Sequence, residues 1–446
     1  MNRPSRAPPL GCLVATLLLL LVMPLALAQP AGRSPNLRLL TTAPIRTESP
    51  LDRLGGAVAF QDDLLVAGVP GGPFLPSQDP GGFALFRILK RAPYLAQISS
   101  YTCGMGSDGA VAVWGDFVFL GVDNHVDFHQ SSTCNNRERS DSLEQGVRIV
   151  EISDPVKPRE VGFVAVGRAH NITLIPHNDV VYIYVPTPSD GLVPGLPSLS
   201  TRLRIVRFDP EHPRRARVVA EPRIFGQAGC HDLIYFAPRR VAACLGADAS
   251  ILLDVSDPPN PKKLSSLADT TRSLGFGAFS WDGRYLVASG TETLGFASTC
   301  SGEEDPAGVL WLYDVRDLRR PRLVTHYAPS RQATLPGFLN SAYACEPSRV
   351  SFVPTSDESY VVTSGWGSAG LTIVDFTVPT RPYELAFWAE EATQLAAGHW
   401  YNGRIYGTEM NRTGIRVFEA DGLDQRHVHY FRNRYNPTSQ IRDFGS

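Results

Sequence analysis

The chain has 446 residues and a formal net charge of −2, with 42 Lys and Arg against 44 Asp and Glu. It carries no basic tract that would neutralise phosphates, so no nucleic-acid partner is expected. With 39 Gly and 36 Pro, chain breakers are too frequent for long helices, and short strands joined by turns are the expected content.

The first segment reads as a processing signal. MNRPSR supplies two arginines, Leu13 to Leu27 is nearly all apolar, and Ala26-Leu27-Ala28 places small residues at a cleavage point. That is the pattern of a secretory signal peptide covering 1–28, and its apolar run is short for a membrane span. The expected mature chain, 29–446, is one domain with no transmembrane segment. Its expected place is the periplasm, the extracellular space or the cell surface.

Two kinds of element then alternate. The first is a hairpin with a polar turn between apolar strands, clearest in AVAVWGDFVFLGV (Ala110 to Val122), FSWDGRYLVASG (Phe279 to Gly290) and HWYNGRIYG (His399 to Gly407). Gly115-Asp116, Asp282-Gly283 and Asn402-Gly403 tolerate the positive φ that tight hairpins need. AVAFQDDLLVAGV, TLIPHNDVVYIYV, LIYFAPRRVAACL and VSFVPTSDESYVVTSG fit the same slot. The second element is an apolar run closed by an acid and a proline turn, as in GVRIVEISDPVKP from Gly146. It returns as SILLDVSDPPNP from Ser250, VLWLYDVRDLRRP from Val309 and GLTIVDFTVPTRP from Gly370. Weaker copies begin at Phe83, Leu203 and Gly414. After the proline comes a short strand, such as REVGFV, KKLSSL, RLVTHY or YELAFW.

Hairpin, strand, turn and strand make one four-stranded antiparallel blade, and seven copies predict an all-β fold, a seven-bladed β-propeller. NLRLLTT (Asn36 to Thr42) resembles a fourth strand with no hairpin before it, so it is expected to complete the last blade. HVHYF (His427 to Phe431) is the alternative for that place. Glu151, Asp254, Asp314, Asp375 and Glu419 recur at the end of the third strand, where turn capping is their expected role.

Six cysteines remain after the signal, and an even number in an exported chain points to disulfides. Blade positions pair Cys230 with Cys244 across one hairpin, Cys103 with Cys134, and Cys300 with Cys345. No CxxC pair, P-loop, GxSxG elbow or HExxH motif is present, so no cofactor is expected. In a propeller the first strand of each blade lines the central channel. His170, His231, Asp232, Phe276 and Glu346 fall at or near the starts of such strands. Two imidazoles with carboxylates there would bind a divalent metal such as zinc, or act as acid and base, and they would otherwise pin neighbouring backbone. His399, Trp281, Trp366 and Trp400 are expected to pack within blades. Asn171-Ile172-Thr173 and Asn411-Arg412-Thr413 fit a glycosylation pattern, the first on an expected inner strand.

The phrases LTIVDFTVPTRP and ILLDVSDPPNP resemble the LVIVD repeat of exported, mostly bacterial proteins. CGMGSDGAVAVWGDFVFLGVD, Cys134-Asn135-Asn136, EPRIFGQAGCHDLIYF and SWDGRYLVASGTE resemble one large LVIVD-repeat group in the same order. The resemblance covers nearly the whole mature chain and implies an exported β-propeller without settled chemistry. Members often carry His-Thr-His-Thr, His-Ser-Ala and Cys-Thr-Ala-His-Asn, where this chain has His170-Asn171-Ile172-Thr173, Phe276-Gly277-Ala278 and Cys345-Glu346-Pro347-Ser348. Cys230-His231-Asp232 is intact. With histidines missing from that set, the leading expectation is a non-catalytic scaffold or binding protein. It would present loops and a channel mouth to a protein or cell-surface polymer, with a monomer as the expected state. A metal-dependent hydrolase or lyase using His170, His231 and Asp232, and a small-molecule binder at the mouth, are the competing expectations.

Overall fold

The computed structural model describes residues 32–47, 55–70, 81–103, 110–123, 145–187, 202–224, 230–246, 250–267, 274–290, 308–329, 346–355, 359–367, 369–390, 393–409, 414–423, 434–436 and 438–440. Each blade begins with a hairpin of short apolar strands, and in six of them a described turn residue takes positive φ. Asn402 and Gly403 both do so (48° and 84°), as do Asp62, Gly115, Asn178, Arg240 and Gly283 in the other turns. The result is seven sheets of four antiparallel strands, consecutive in sequence in six of them, and two sheets gain a fifth strand from the C-terminal segment. The seven-bladed propeller expected from the repeats is therefore the observed fold.

The repeated phrase forms the third strand. Three of these strands open on glycine, Gly82, Gly146 and Gly370, because the fourth strand crosses close by: a Cβ on Gly82 would meet the Tyr101 carbonyl, and one on Gly370 would meet that of Trp388. The acid that ends the phrase caps its turn. Asp254 Oδ1 accepts from the Ser256 amide at 2.9 Å, Asp314 Oδ1 from Arg316 at 3.0 Å and Asp375 Oδ1 from Thr377 at 2.6 Å. Glu151 and Glu419 instead pair with Arg159 and Arg38 on the facing strands.

Seven apolar clusters fill the seven clefts between neighbouring blades, so the core is a ring of interfaces rather than one centre. Trp366 and Trp400 are buried in it as expected, and Trp281 donates Nε1–H to the Phe352 carbonyl at 2.9 Å. The ring closes through Leu37–Ala43, which pairs antiparallel with Ile415–Ala420 as the outer strand of the seventh blade. That is the closure expected of NLRLLTT. HVHYF lies outside the described residues, as do the signal segment, Asn411, Cys134, Cys300 and Cys345. Among the described residues no helix is long and apolar enough to cross a membrane.

One element is absent from the sequence reading. Arg434–Tyr435 pairs with Phe60 and Gln61 on the inner strand of the first blade, and Ser439–Gln440 runs parallel to Tyr235 and Phe236 in the fourth. Between them the segment reaches other inner strands through side chains. The Asn436 amide accepts from Val113 N–H at 2.8 Å and donates to its carbonyl at 3.0 Å. The Gln440 amide does the same for Phe279, at 2.7 and 2.6 Å. Thr438 Oγ1 donates to the Ile172 carbonyl, and Ser439 Oγ accepts from Leu174 N–H. Inner strands turn an unpaired edge toward the channel, and buried amides and carbonyls need partners. The segment supplies them to five consecutive blades.

Candidate functional site

His170 and Asn171 precede the inner strand Thr173–His177, and His231 precedes Asp232–Phe236, so both histidines stand at the channel mouth. The His170 and His231 rings lie 4.9 Å apart at 68°, with their Nε2 atoms at 3.2 Å. Asp123, at the end of the second strand of the second blade, places Oδ2 2.5 Å from His170 Nδ1, and its side chain is fully buried. On the far side, His231 Nδ1 lies 3.4 Å from the Gly275 carbonyl, and Phe276 packs edge-on against the His231 ring at 5.1 Å. The Arg349 guanidinium then sits 4.6 Å over the Phe276 ring. A contact chain of Asp123, His170, His231, Phe276 and Arg349 thus runs around the mouth from the second blade to the sixth.

His231 is held on every side. Its N–H donates to Leu245 O at 2.6 Å, and its carbonyl accepts from Asn171 Nδ2 at 2.9 Å. That buried amide contact makes Asn171 unsuited to glycosylation. The residue before His231 is Cys230, which is disulfide-bonded to Cys244 with Cα atoms 5.4 Å apart, as expected from the hairpin. Cys103 is buried and disulfide-bonded, and its expected partner Cys134 lies outside the described residues.

The other expected site residues are placed differently. Asp232 is buried and its Oδ1 accepts from the amide of Leu233 at 2.9 Å, a bond within the strand. Glu346 is buried one residue before the inner strand Pro347–Phe352, and its carbonyl accepts from Gly367 N–H. Asp123 and Arg349 enter the site without having been singled out. Asp123 ends a second strand, not a first, and only the ring of blades brings it beside His170. Among the described residues, no group of three or more His, Cys, Asp or Glu side chains comes together to hold a metal ion.

His399 opens the inner strand of the seventh blade, 1% exposed, and neither ring nitrogen has a hydrogen-bond partner. Burial, reinforced by the Arg349 charge, pushes its imidazole down to about 3, so it is neutral at physiological pH. It packs in the blade, as the sequence indicates.

The C-terminal segment sets the depth beneath the mouth. It pairs with Tyr235 and Phe279, each four residues along its inner strand from His231 and Gly275. At a rise of about 3.3 Å per residue, that is about 13 Å along those strands, whereas Thr438 reaches the Ile172 carbonyl, two residues and about 7 Å along the chain from His170.

No family profile matches the chain, and no curated protein matches it. Solved structures do. A candidate 6-phosphogluconolactonase from Bacteroides uniformis aligns with a TM-score of 0.55 at 9% identity, over 83% of this chain and 96% of that one. A protein from Lactobacillus plantarum gives 0.54 at 12% identity, over 84% and 96%. The periplasmic gluconolactonase of Pseudomonas aeruginosa gives 0.49 at 14% identity, over 78% and 85%. At these identities the first two show a likeness of fold alone, and this chain is similar to them as a β-propeller.

Proposed function

We propose that this chain is an exported binding propeller of the LVIVD-repeat kind that takes a small polar ligand at its channel mouth. The single observation that carries this reading is the preorganised contact chain from Asp123 to Arg349 standing above a channel crossed by the C-terminal segment. The tail lies about 7 to 13 Å along the inner strands from the histidines, a depth that suits a small molecule rather than a polymer. Its rim offers two imidazoles, an aromatic ring and a guanidinium, groups that recognise hydroxyls and carboxylates. Export is supported by the apolar, small-residue N-terminus and by the buried disulfide. A protein or cell-surface polymer would be met by the face loops, as a second contact.

Thermal shift across pools of sugars, sugar acids and hydroxy acids tests the reading, because a ligand that binds only the folded state raises the midpoint. A pool that stabilises the native chain and fails to stabilise His231→Gln supports it. Equal stabilisation of both proteins, or none in any pool, rejects it.

A second reading is favoured by the Asp123–His170 contact at 2.5 Å, a carboxylate orienting an imidazole as in acid–base catalysis. In that reading the chain is a hydrolase or lyase with His170 as the base. Turnover of lactone or ester substrates that disappears in His170→Gln establishes it, and turnover unchanged in that variant removes it.

A further inference from the structure

The two mouth histidines present their nitrogens in an unusual order. An imidazole nitrogen that hydrogen-bonds to a carboxylate or a carbonyl does so through N–H. His170 Nδ1 faces Asp123 Oδ2 at 2.5 Å and His231 Nδ1 faces the Gly275 carbonyl at 3.4 Å, and the tautomer with the proton on Nδ1 of each ring meets both acceptors. That puts both lone pairs on Nε2, and these two atoms lie 3.2 Å apart. Two ring nitrogens at that distance can be bridged by a cation. A shared proton does this, and so does a metal ion.

We infer that His170 and His231 bind one divalent transition-metal ion between their Nε2 atoms, with Asp123 and the Gly275 carbonyl fixing the two rings from behind. The geometry suits the ion. With metal–nitrogen distances of about 2.0–2.1 Å, nitrogens 3.2 Å apart subtend about 100° at the metal, near the tetrahedral angle. The outer contacts are those that metal-bound histidines make: Nδ1–H to a carboxylate on one ring and to a backbone carbonyl on the other. Imidazole pairs suit zinc, copper, nickel and cobalt, not magnesium or calcium. Two protein nitrogens leave further coordination positions to water or to an oxygen of the incoming ligand. The inference deepens the binding reading and rests on it in that respect: the ion would be the point at which a hydroxyl or carboxylate of the small molecule docks.

Metal-stripped protein is dialysed against zinc and, separately, against copper. One ion per chain is expected, with roughly 10–100-fold weaker binding in Asp123→Asn and a larger loss in His170→Gln and His231→Gln. The copper form is read by electron paramagnetic resonance, where hyperfine structure from two imidazole nitrogens is expected in the native chain. That spectrum decides the matter without any variant, in case the substitutions disturb folding. No retained metal, copper without imidazole nitrogens, or a double variant that binds as tightly as the native chain would overturn the inference. The ligand pools screened in chelator distinguish the two claims. A thermal shift that survives there, with no metal bound to the native chain, removes the metal and leaves the binding reading standing.

Discussion

Two histidines on opposite sides of the same ring show how position within a repeat decides chemistry. His231 and His399 both stand at the start of an inner strand. His231 has its ring steered by Gly275 and Phe276 toward His170, at a surface a ligand reaches. His399 is sealed in its blade beside Arg349, without a hydrogen bond and held neutral. One imidazole is oriented toward a partner, whereas the other is a polar group carried in an apolar place. The side of the ring toward the second, third and fourth blades is therefore where binding is expected, and the seventh blade serves as wall.

The largest expected effect lies on the His231 side. Replacing Cys230 and Cys244 together by serine removes the staple next to His231 and is expected to destabilise the chain by about 2–4 kcal/mol, mainly through the freed unfolded state. Chemical denaturation measures the loss, and ligand or metal binding should weaken with it. A variant of native stability would mean that the staple contributes nothing to the site.

The reverse sign is expected at His399. His399→Leu removes a buried donor and acceptor that have no partners, and should stabilise the chain by about 1–3 kcal/mol at neutral pH. The pH dependence follows from its lowered pKa of about 3. Between that value and the ordinary 6.5, the unfolded chain binds the proton and the folded chain does not, so stability rises with pH across this window. Falling from pH 6.5 to 5 should therefore cost the native chain about 2 kcal/mol from this group alone, a loss that His399→Leu abolishes. Asp254, held low by Ser256, and Asp314, held low by Arg316, act in the same sense but at lower pH. Their stabilisation is present above the carboxylate range and is lost only as pH falls below about 4. A native chain whose stability is flat from pH 6.5 to 5 would contradict the buried, neutral His399.

A smaller effect tests the floor of the recess. Gln440→Ala leaves the buried amide and carbonyl of Phe279 without partners and should cost about 1–3 kcal/mol. His231 is not touched by this change, so the midpoint should drop while the mouth keeps its ligand. Loss of binding at unchanged stability would place the tail in the site itself.

The fold was legible because its signals are local and repeated. Asn402-Gly403 declares a hairpin, and Asp254 followed by Ser256 declares a capped turn, wherever each sits in the chain. Cys230 and Cys244 could be paired because one hairpin lies between them. Asp123 could not be read in the same way: it meets His170 only across a blade boundary, 47 residues away. Asn436 and Gln440 were hidden for a different reason. They complete strands through side-chain amides and carry no strand periodicity, so a polar tail looks like any other until the channel places it.

The most direct test of the contrast between the two histidines is histidine-selective 15N NMR with and without zinc. His170 and His231 should show protonated Nδ1 in the metal-loaded chain, and their Nε2 resonances should move as zinc is added, while His399 stays neutral and unmoved down to pH 5. Zinc-dependent movement of His399, or Nε2 resonances of His170 and His231 that ignore the metal, would contradict the division of the mouth into a binding side and a wall.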